Sequence, residues 1–276
     1  MTIVLDENAW AKQMIDTCSL GRKPYETLYR VARYYIDNGS SRRDARRKLE
    51  IFMGRCDPLV SIPKWSKTID YALSRALKTE AVKIDCIPVT TAEIETIRGL
   101  EGKQQQRLAF TLLCLAKYWN IVNHAESGWV NTPDNEIMRM SNVNTSIDRQ
   151  SAMYHSMYMA GLLQFSKKVD NTNVRVCFMH SGETALEVTD FRNLGNQYMM
   201  FCGEPYFACK RCGIVTRRKA STGRKPVYCT DCASTIAIQN RINSVMSSRS
   251  KSVERPELLT KTNGNLSTSE ADDSVT

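Results

Sequence analysis

The sequence predicts a mainly α-helical chain with small β elements, built from several modules. Three observations carry that expectation. Apolar residues recur at helical spacing behind capping residues from Tyr25 to Trp119. Between Trp129 and Met179, short strand candidates bracket two further helices. Near the end, Cys209 with Cys212 and Cys229 with Cys232 form two C-x2-C pairs separated by 16 residues. A length of 276 residues leaves room for two or three modest domains.

The first module spans residues 1–90 and reads as a helical bundle. Leu28, Val31, Ala32 and Tyr35 keep helical spacing from Tyr25 to Asp37, and Gly39 ends the run. Ser41 with Asp44 is an N-cap pairing for a second helix reaching about Arg55. Arg42, Arg43, Arg46, Arg47 and Lys48 on it are read as a solvated face, with phosphate contact as the alternative. A third helix is expected from Lys67 to Lys78, burying Ile69, Ala72, Leu73, Ala76 and Leu77. The run from Tyr25 to Tyr35, then Gly39 to Ser41, Arg55 to Pro58, Trp65 and Ile69, resembles the small helical domain found C-terminal to many plasmid and phage primases. That domain is not the catalytic part of those enzymes, so the resemblance implies a replication neighbourhood and no activity.

Residues 83–90, with Pro88, read as an extended linker. Thr90 and Glu93 offer a capping box for a short helix ending near Gly99, and a longer helix follows from Lys103 to Trp119. Residues 129–131 form a strand candidate. Thr132 is expected to cap a helix with Pro133 at its first position. A turn through 141–144 leads to a second helix over about 146–160, with Ile147, Ser151, Tyr154 and Tyr158 as its inner face and Gly161 as its stop. Residues 162–165 and 174–179 then flank a polar turn as a hairpin. This order predicts a winged helix-turn-helix over residues 91–186.

In winged helices the second helix enters the major groove and the hairpin touches the backbone. Position alone makes Asn144, Thr145, Ser146, Arg149 and Gln150 the base-facing candidates, and Lys167, Lys168, Asn171 and Asn173 the backbone contacts. Asn, Gln and Arg can pair with adenine and guanine edges. Residues 91–205 carry a net charge of −2, however, so protein docking stays open as the role of this module.

Residues 187–205 read as an amphipathic connector helix, and residues 206–246 as a zinc ribbon followed by a helix from Ala233 to about Met246. Two facing knuckles make the tetrahedral sulfur cage that zinc prefers, whereas a redox CxxC is usually single and sits in a βαβ unit. One structural Zn2+ on Cys209, Cys212, Cys229 and Cys232 is expected, held under a hairpin spanning Gly213 to Tyr228. Arg217, Arg218, Lys219, Arg224 and Lys225 are expected at its tip. Residues 206–253 hold ten Lys and Arg against one acid, a net +9 equal to that of the whole chain. Such clustering points to a polyanion, here double-stranded DNA. The other six cysteines are read as small buried hydrophobes, and residues 247–276 as disordered.

No phosphate-binding loop, dinucleotide fingerprint or nucleophile elbow is present, and His124, His155 and His180 share no metal or triad spacing, so no catalytic residue is assigned. The first ten residues lack a signal-peptide pattern, which predicts a cytoplasmic protein without a membrane partner. The whole chain resembles small proteins of phages and mobile elements of Gram-positive bacteria that combine a helical N-terminus, a winged helix and a C-terminal zinc ribbon. That resemblance implies DNA binding in replication or transcription control. The alternative is an interaction factor that modulates a host polymerase, replisome or nuclease complex.

Overall fold

The computed structural model of the chain describes residues 3–21, 23–167, 173–218 and 225–253. They are mainly helical with small sheets. The chain divides into two compact units, Met1–Phe207 with Ile214–Thr222, and Ala208–Gly213 with Gly223–Thr276. Lys168, Asn171, Lys219, Arg224 and the tail from 254 onward lie outside the described residues.

The first unit has two apolar cores. Helices α1 (Glu7–Asp16), α2 (Pro24–Asp37), α3 (Arg42–Cys56) and α4 (Ile62–Ala76) enclose one of them, centred on Leu28, Val31, Leu49, Phe52, Met53 and Leu73. Helix α1 is not marked by the sequence periodicity; the Asp6 carboxylate caps it by accepting from Ala9 N–H at 2.7 Å. Helix α4 begins five residues before its expected start, because Pro63 is accommodated in the first turn. On the basic face of α3, Arg42, Arg43, Arg47 and Lys48 are exposed, as a solvated face requires, and Arg46 is half-buried. Arg42 donates to Ser74 Oγ at 3.0 Å, and Arg46 binds Glu50, Asp70 and Ser66.

A buried charge cluster closes this bundle. Glu7 accepts from Arg30 Nε at 3.1 Å, from Arg33 Nη1, and from Val82 N–H at 3.1 Å. All three charged side chains are almost fully buried. An interior carboxylate is tolerated only with such partners.

Strand β1 (Ile87–Thr90) runs antiparallel to β5 (Thr184–Val188), so the stretch read as a linker is paired. Pro88 fits because this is a two-stranded sheet in which every strand is an edge. The predicted capping box forms: Thr90 Oγ1 accepts from Glu93 N–H at 3.4 Å, and Glu93 Oε2 accepts from Thr90 N–H at 2.7 Å. It opens α5 (Thr91–Arg98). Glu93 is fully buried and also accepts from Lys117 Nζ at 2.6 Å and from His180 N–H at 2.9 Å. It thereby joins the β1 corner to α6 (Lys103–Val122), the central helix of the second core.

After α6 come β2 (Trp129–Val130), α7 (Asp134–Ser141), α8 (Ile147–Met159), β3 (Leu163–Phe165) and β4 (Val174–Val176). The three strands form an antiparallel sheet in the order β2-β4-β3, with Leu163 opposite Val176 and Trp129 opposite Arg175. Thr132 does not cap α7. Pro133 holds the N-cap position, and the buried Thr132 hydroxyl instead accepts from Trp119 Nε1 at 2.9 Å. The inner face of α8 is rotated by one residue from the expected one. Met153 and Met157 are buried, Tyr154 is half-buried, and Ile147 is 78% exposed. Two offset apolar pairs compete on this helix, and the flexible methionines occupy the core. Gly161 takes the predicted left-handed conformation at φ +72°.

The expected connector is a core helix. In α9 (Leu194–Phe201), Leu194 and Tyr198 are fully buried, and Tyr198 packs on Phe110 of α6 at 5.2 Å between ring centroids. Asn196 accepts from Asn142 Nδ2 at 2.8 Å and donates to Val215 O at 3.0 Å, joining the end of α7 to β7 (Val215–Arg217), the partner of β6 (Tyr206–Ala208). Of the six scattered cysteines only Cys114 is fully buried. Cys177 is exposed and the other four are half-buried, which corrects the reading of all six as core residues.

Gly195 allows α9 to approach α7, since a Cβ there would lie 1.9 Å from Ser141 O. Gly195→Ala is expected to cost about 1–3 kcal/mol, like other overpacking changes, despite alanine's higher helix propensity. A thermal or urea unfolding series checks this, with Gly182→Ala as the control, because nothing lies within 4 Å of that position.

Candidate metal centre

The second unit is assembled from two separate stretches of chain, Ala208–Gly213 and Gly223–Thr276. Residues 208–213 form a tight turn between β6 and β7. Cys209 O accepts from Gly213 N–H at 2.8 Å, and Gly213 has the positive φ of +76° that such a turn requires. Lys210 N–H donates to Val227 O at 3.0 Å and ties this turn to the segment that leads into α10 (Thr230–Val253). Cys229 precedes that helix, its carbonyl accepting from Ala233 N–H at 2.9 Å, and Cys232 lies in the first turn.

The sulfurs of Cys209, Cys212, Cys229 and Cys232 all lie within 4.8 Å of one another, compatible with one structural metal ion. Cys212 and Cys229 are 3.7 Å apart, sulfur to sulfur. A tetrahedral ion with bonds of about 2.3 Å needs sulfurs about 3.8 Å apart, so the spacing fits. A disulfide would need about 2.05 Å, and all four cysteines are free.

The local electrostatics push two of the thiols in opposite directions. Burial raises the Cys209 thiol, but backbone hydrogen bonds from Cys229, Cys212 and Arg211 outweigh it and bring it down to about 6. Burial, then hydrogen bonds shared with Cys212, Cys229 and Cys209, push Cys232 up to about 12. The positive end of α10 faces the two cysteines at its start, an arrangement that stabilises anionic sulfur.

The structure differs from the expectations for this region. Among the described residues the paired hairpin is β6–β7, whose turn is the first knuckle; 225–228 form no strand, and the middle of the hairpin expected over Gly213–Tyr228 lies outside the described residues. The second C-x2-C pair is a helix start rather than a second knuckle, and α10 continues to Val253, beyond the expected end near Met246. The expected cationic tip is therefore divided. Arg217 and Arg218 are exposed at the end of β7 in the first unit, where Arg218 also lies over the Phe207 ring at 6.0 Å. Lys225 is exposed in the second unit. Exposed Lys210 and Arg211, inside the first knuckle, were not singled out from sequence; their position between two ligand cysteines was the available signal.

The remaining candidates lie on the first unit. Asn144, Ser146 and Arg149 are exposed before and within the first turn of α8, and Thr145 and Gln150 are half-buried. Gln150 Nε2 donates to Thr145 O at 2.9 Å, so its amide braces the turn and is not wholly available to a ligand. Lys167 is exposed beyond β3, and Asn173 O accepts from Ser166 N–H at 3.2 Å. No family model, curated protein or solved structure matches the chain.

Serine at Cys212 or Cys229 is expected to abolish metal binding, read as loss of one equivalent by elemental analysis, and to reduce the helical circular dichroism signal. A strong chelator added to the unaltered protein should reproduce both effects. Metal affinity should weaken as pH falls from about 7.5 to about 6, since the raised Cys232 thiol must release its proton on binding throughout this range and the lowered Cys209 thiol becomes about half protonated at its lower end. Competition with a chromophoric chelator at several pH values measures this.

Proposed function

We propose that the protein is a zinc-containing DNA-binding protein of a phage or mobile element, acting in replication or transcription control on double-stranded DNA. The observation that carries the reading is the convergence of four cysteine sulfurs within the most basic part of the chain. Zinc is the metal whose preference for four thiolates in a closed tetrahedral cage fits this donor set. It would be held by Cys209, Cys212, Cys229 and Cys232 and would supply structure, since four protein ligands leave no position for substrate. The replication or transcription setting rests on the sequence resemblance alone.

In this mechanism Arg217, Arg218, Lys219, Arg224 and Lys225, with Lys210 and Arg211 on the knuckle, supply a sequence-independent grip on phosphates. The order α7, α8, β3 and β4, with β2 completing the sheet, supports a winged helix with α8 as its reading helix. Asn144, Thr145, Ser146 and Arg149 would then face base edges, Gln150 would hold the preceding turn, and Lys167 and Lys168 would meet the backbone. Among the described residues no helix is long and apolar enough to cross a membrane.

A second reading has its own support. Ile238, Ile242, Val245 and Met246 are exposed by 58%, 47%, 52% and 66% along one side of α10. An exposed apolar stripe of this kind favours an interaction factor that binds a host polymerase, replisome or nuclease complex. Such a factor would retain one stoichiometric protein from nuclease-treated lysate and lose it on Ile242→Asn.

Replacing Arg217, Arg218, Lys219, Arg224 and Lys225 together by alanine should flatten the log–log salt dependence of duplex binding by about 4.5. Fluorescence anisotropy across a salt series reads the slope. An unchanged slope removes these five cations from the interface.

A further inference from the structure

One side of α8 carries aromatic rings that the core does not use. His155 and Tyr158 lie three residues apart on the helix, and Phe165 ends β3. The Tyr158 and Phe165 rings are 5.1 Å apart at a tilt of 33°, and the His155 ring lies 6.4 Å from Tyr158. Tyr158 is 45% exposed and Phe165 39% exposed, and His155 is also exposed. Met153 and Met157, on the opposite side of the helix, make the core contact, so these rings are not needed to hold α8 in place.

The stretch of chain that carries the rings holds cations and no acid. Ser166 N–H donates to Asn173 O at 3.2 Å, and Lys167, two residues past the end of β3 at Phe165, is exposed. From Arg149 to Lys167 the chain holds no Asp or Glu. Planar rings open to solvent beside a cation, with no acid on the same stretch, match the stacking-plus-phosphate chemistry that binds unpaired bases. Bases in a duplex are already stacked on one another and cannot lie on such rings. A docking site for an apolar protein surface would require neither planarity nor the missing acids.

We propose that His155, Tyr158, Phe165 and Lys167 form a binding site for single-stranded nucleic acid, in which the rings stack on unpaired bases and Lys167 meets a phosphate. The rings take no part in the contacts proposed for duplex DNA, Lys167 is shared with the backbone contacts of that reading, and the site does not depend on the metal centre.

The test uses the full, metal-loaded chain and anisotropy titrations with a labelled oligo(dT) strand and with a duplex of equal length, run in parallel. Tyr158→Ala combined with Phe165→Ala should weaken oligo(dT) binding by roughly tenfold to a hundredfold and leave duplex binding within about twofold. The salt slope of that variant should be unchanged, while Lys167→Ala should lower the slope by about 0.7. Tyr158→Leu keeps apolar bulk without the ring face and should lose affinity as well. A matching melting temperature shows that each variant is folded. The proposal is overturned if the unaltered chain does not bind oligo(dT), if the double variant binds it as well as the parent, or if duplex affinity falls in parallel. It is also overturned if Tyr158→Leu binds oligo(dT) like the parent, which would make the patch an apolar docking surface for protein. Loss of duplex binding by the parent alone would count against the duplex reading and leave this one standing.

Discussion

Convergence of four sulfur atoms within 4.8 Å of one another holds together a part of the chain that has little else to hold it. Among the described residues of the second unit, only Cys209 and Cys229 are buried. Neither apolar core draws any of these described residues. Small units of this kind reach stability through metals or disulfides, because too little surface can be removed from water. Helix α10 makes the need sharper. From Ala233 to Val253 it is rich in Ser, Asn and Thr, all weak helix formers, and nucleation of an isolated helix is unfavourable. Anchoring its first turn through Cys229 and Cys232 meets the nucleation cost where it arises.

The first unit solves a different problem with buried carboxylates. Glu93 has three partners, from β1, α6 and the segment before β5, so three stretches distant in sequence meet at one side chain. Glu7 does the same for α1, α2 and Val82. A buried charge is unfavourable wherever these partners are missing, so each carboxylate selects against other arrangements of its neighbours. From α6 the order passes outward through Gly195 and Asn196, which set α9 against α7 and connect it to β7. Within the first unit, Val215 of β7 is thus tied to α9.

What was legible in the sequence was local. The caps at Ser41 and Thr90, the left-handed Gly161 and the cysteine spacing each depend on residues a few positions apart, and each is found in the structure. Pairing of β1 with β5 joins positions almost a hundred residues apart, and Pro88 disguised one partner. The face of α8 was ambiguous because Met153 and Met157 run beside Tyr154 and Tyr158 at the same spacing, and only the neighbouring elements decide between them. Thr132 was read as a cap because nothing in its vicinity reveals that Trp119 requires an acceptor. At the metal centre the four ligands were visible, but C-x2-C spacing does not distinguish a knuckle from the first turn of a helix, since both bring such a pair to one ion.

That ambiguity bears on function. Cations on a free loop lose conformational entropy when they meet a phosphate, and this offsets much of what the contact contributes. Lys210 and Arg211 occupy the two positions between Cys209 and Cys212, in a turn closed by the Gly213 N–H and braced through Val227. Their backbone is fixed before any ligand arrives. A metal centre without an open coordination position can therefore still set binding strength, by holding charge in place. On this view the residues between the ligand cysteines are the first place to look for phosphate contacts, ahead of the more numerous cations farther along the chain.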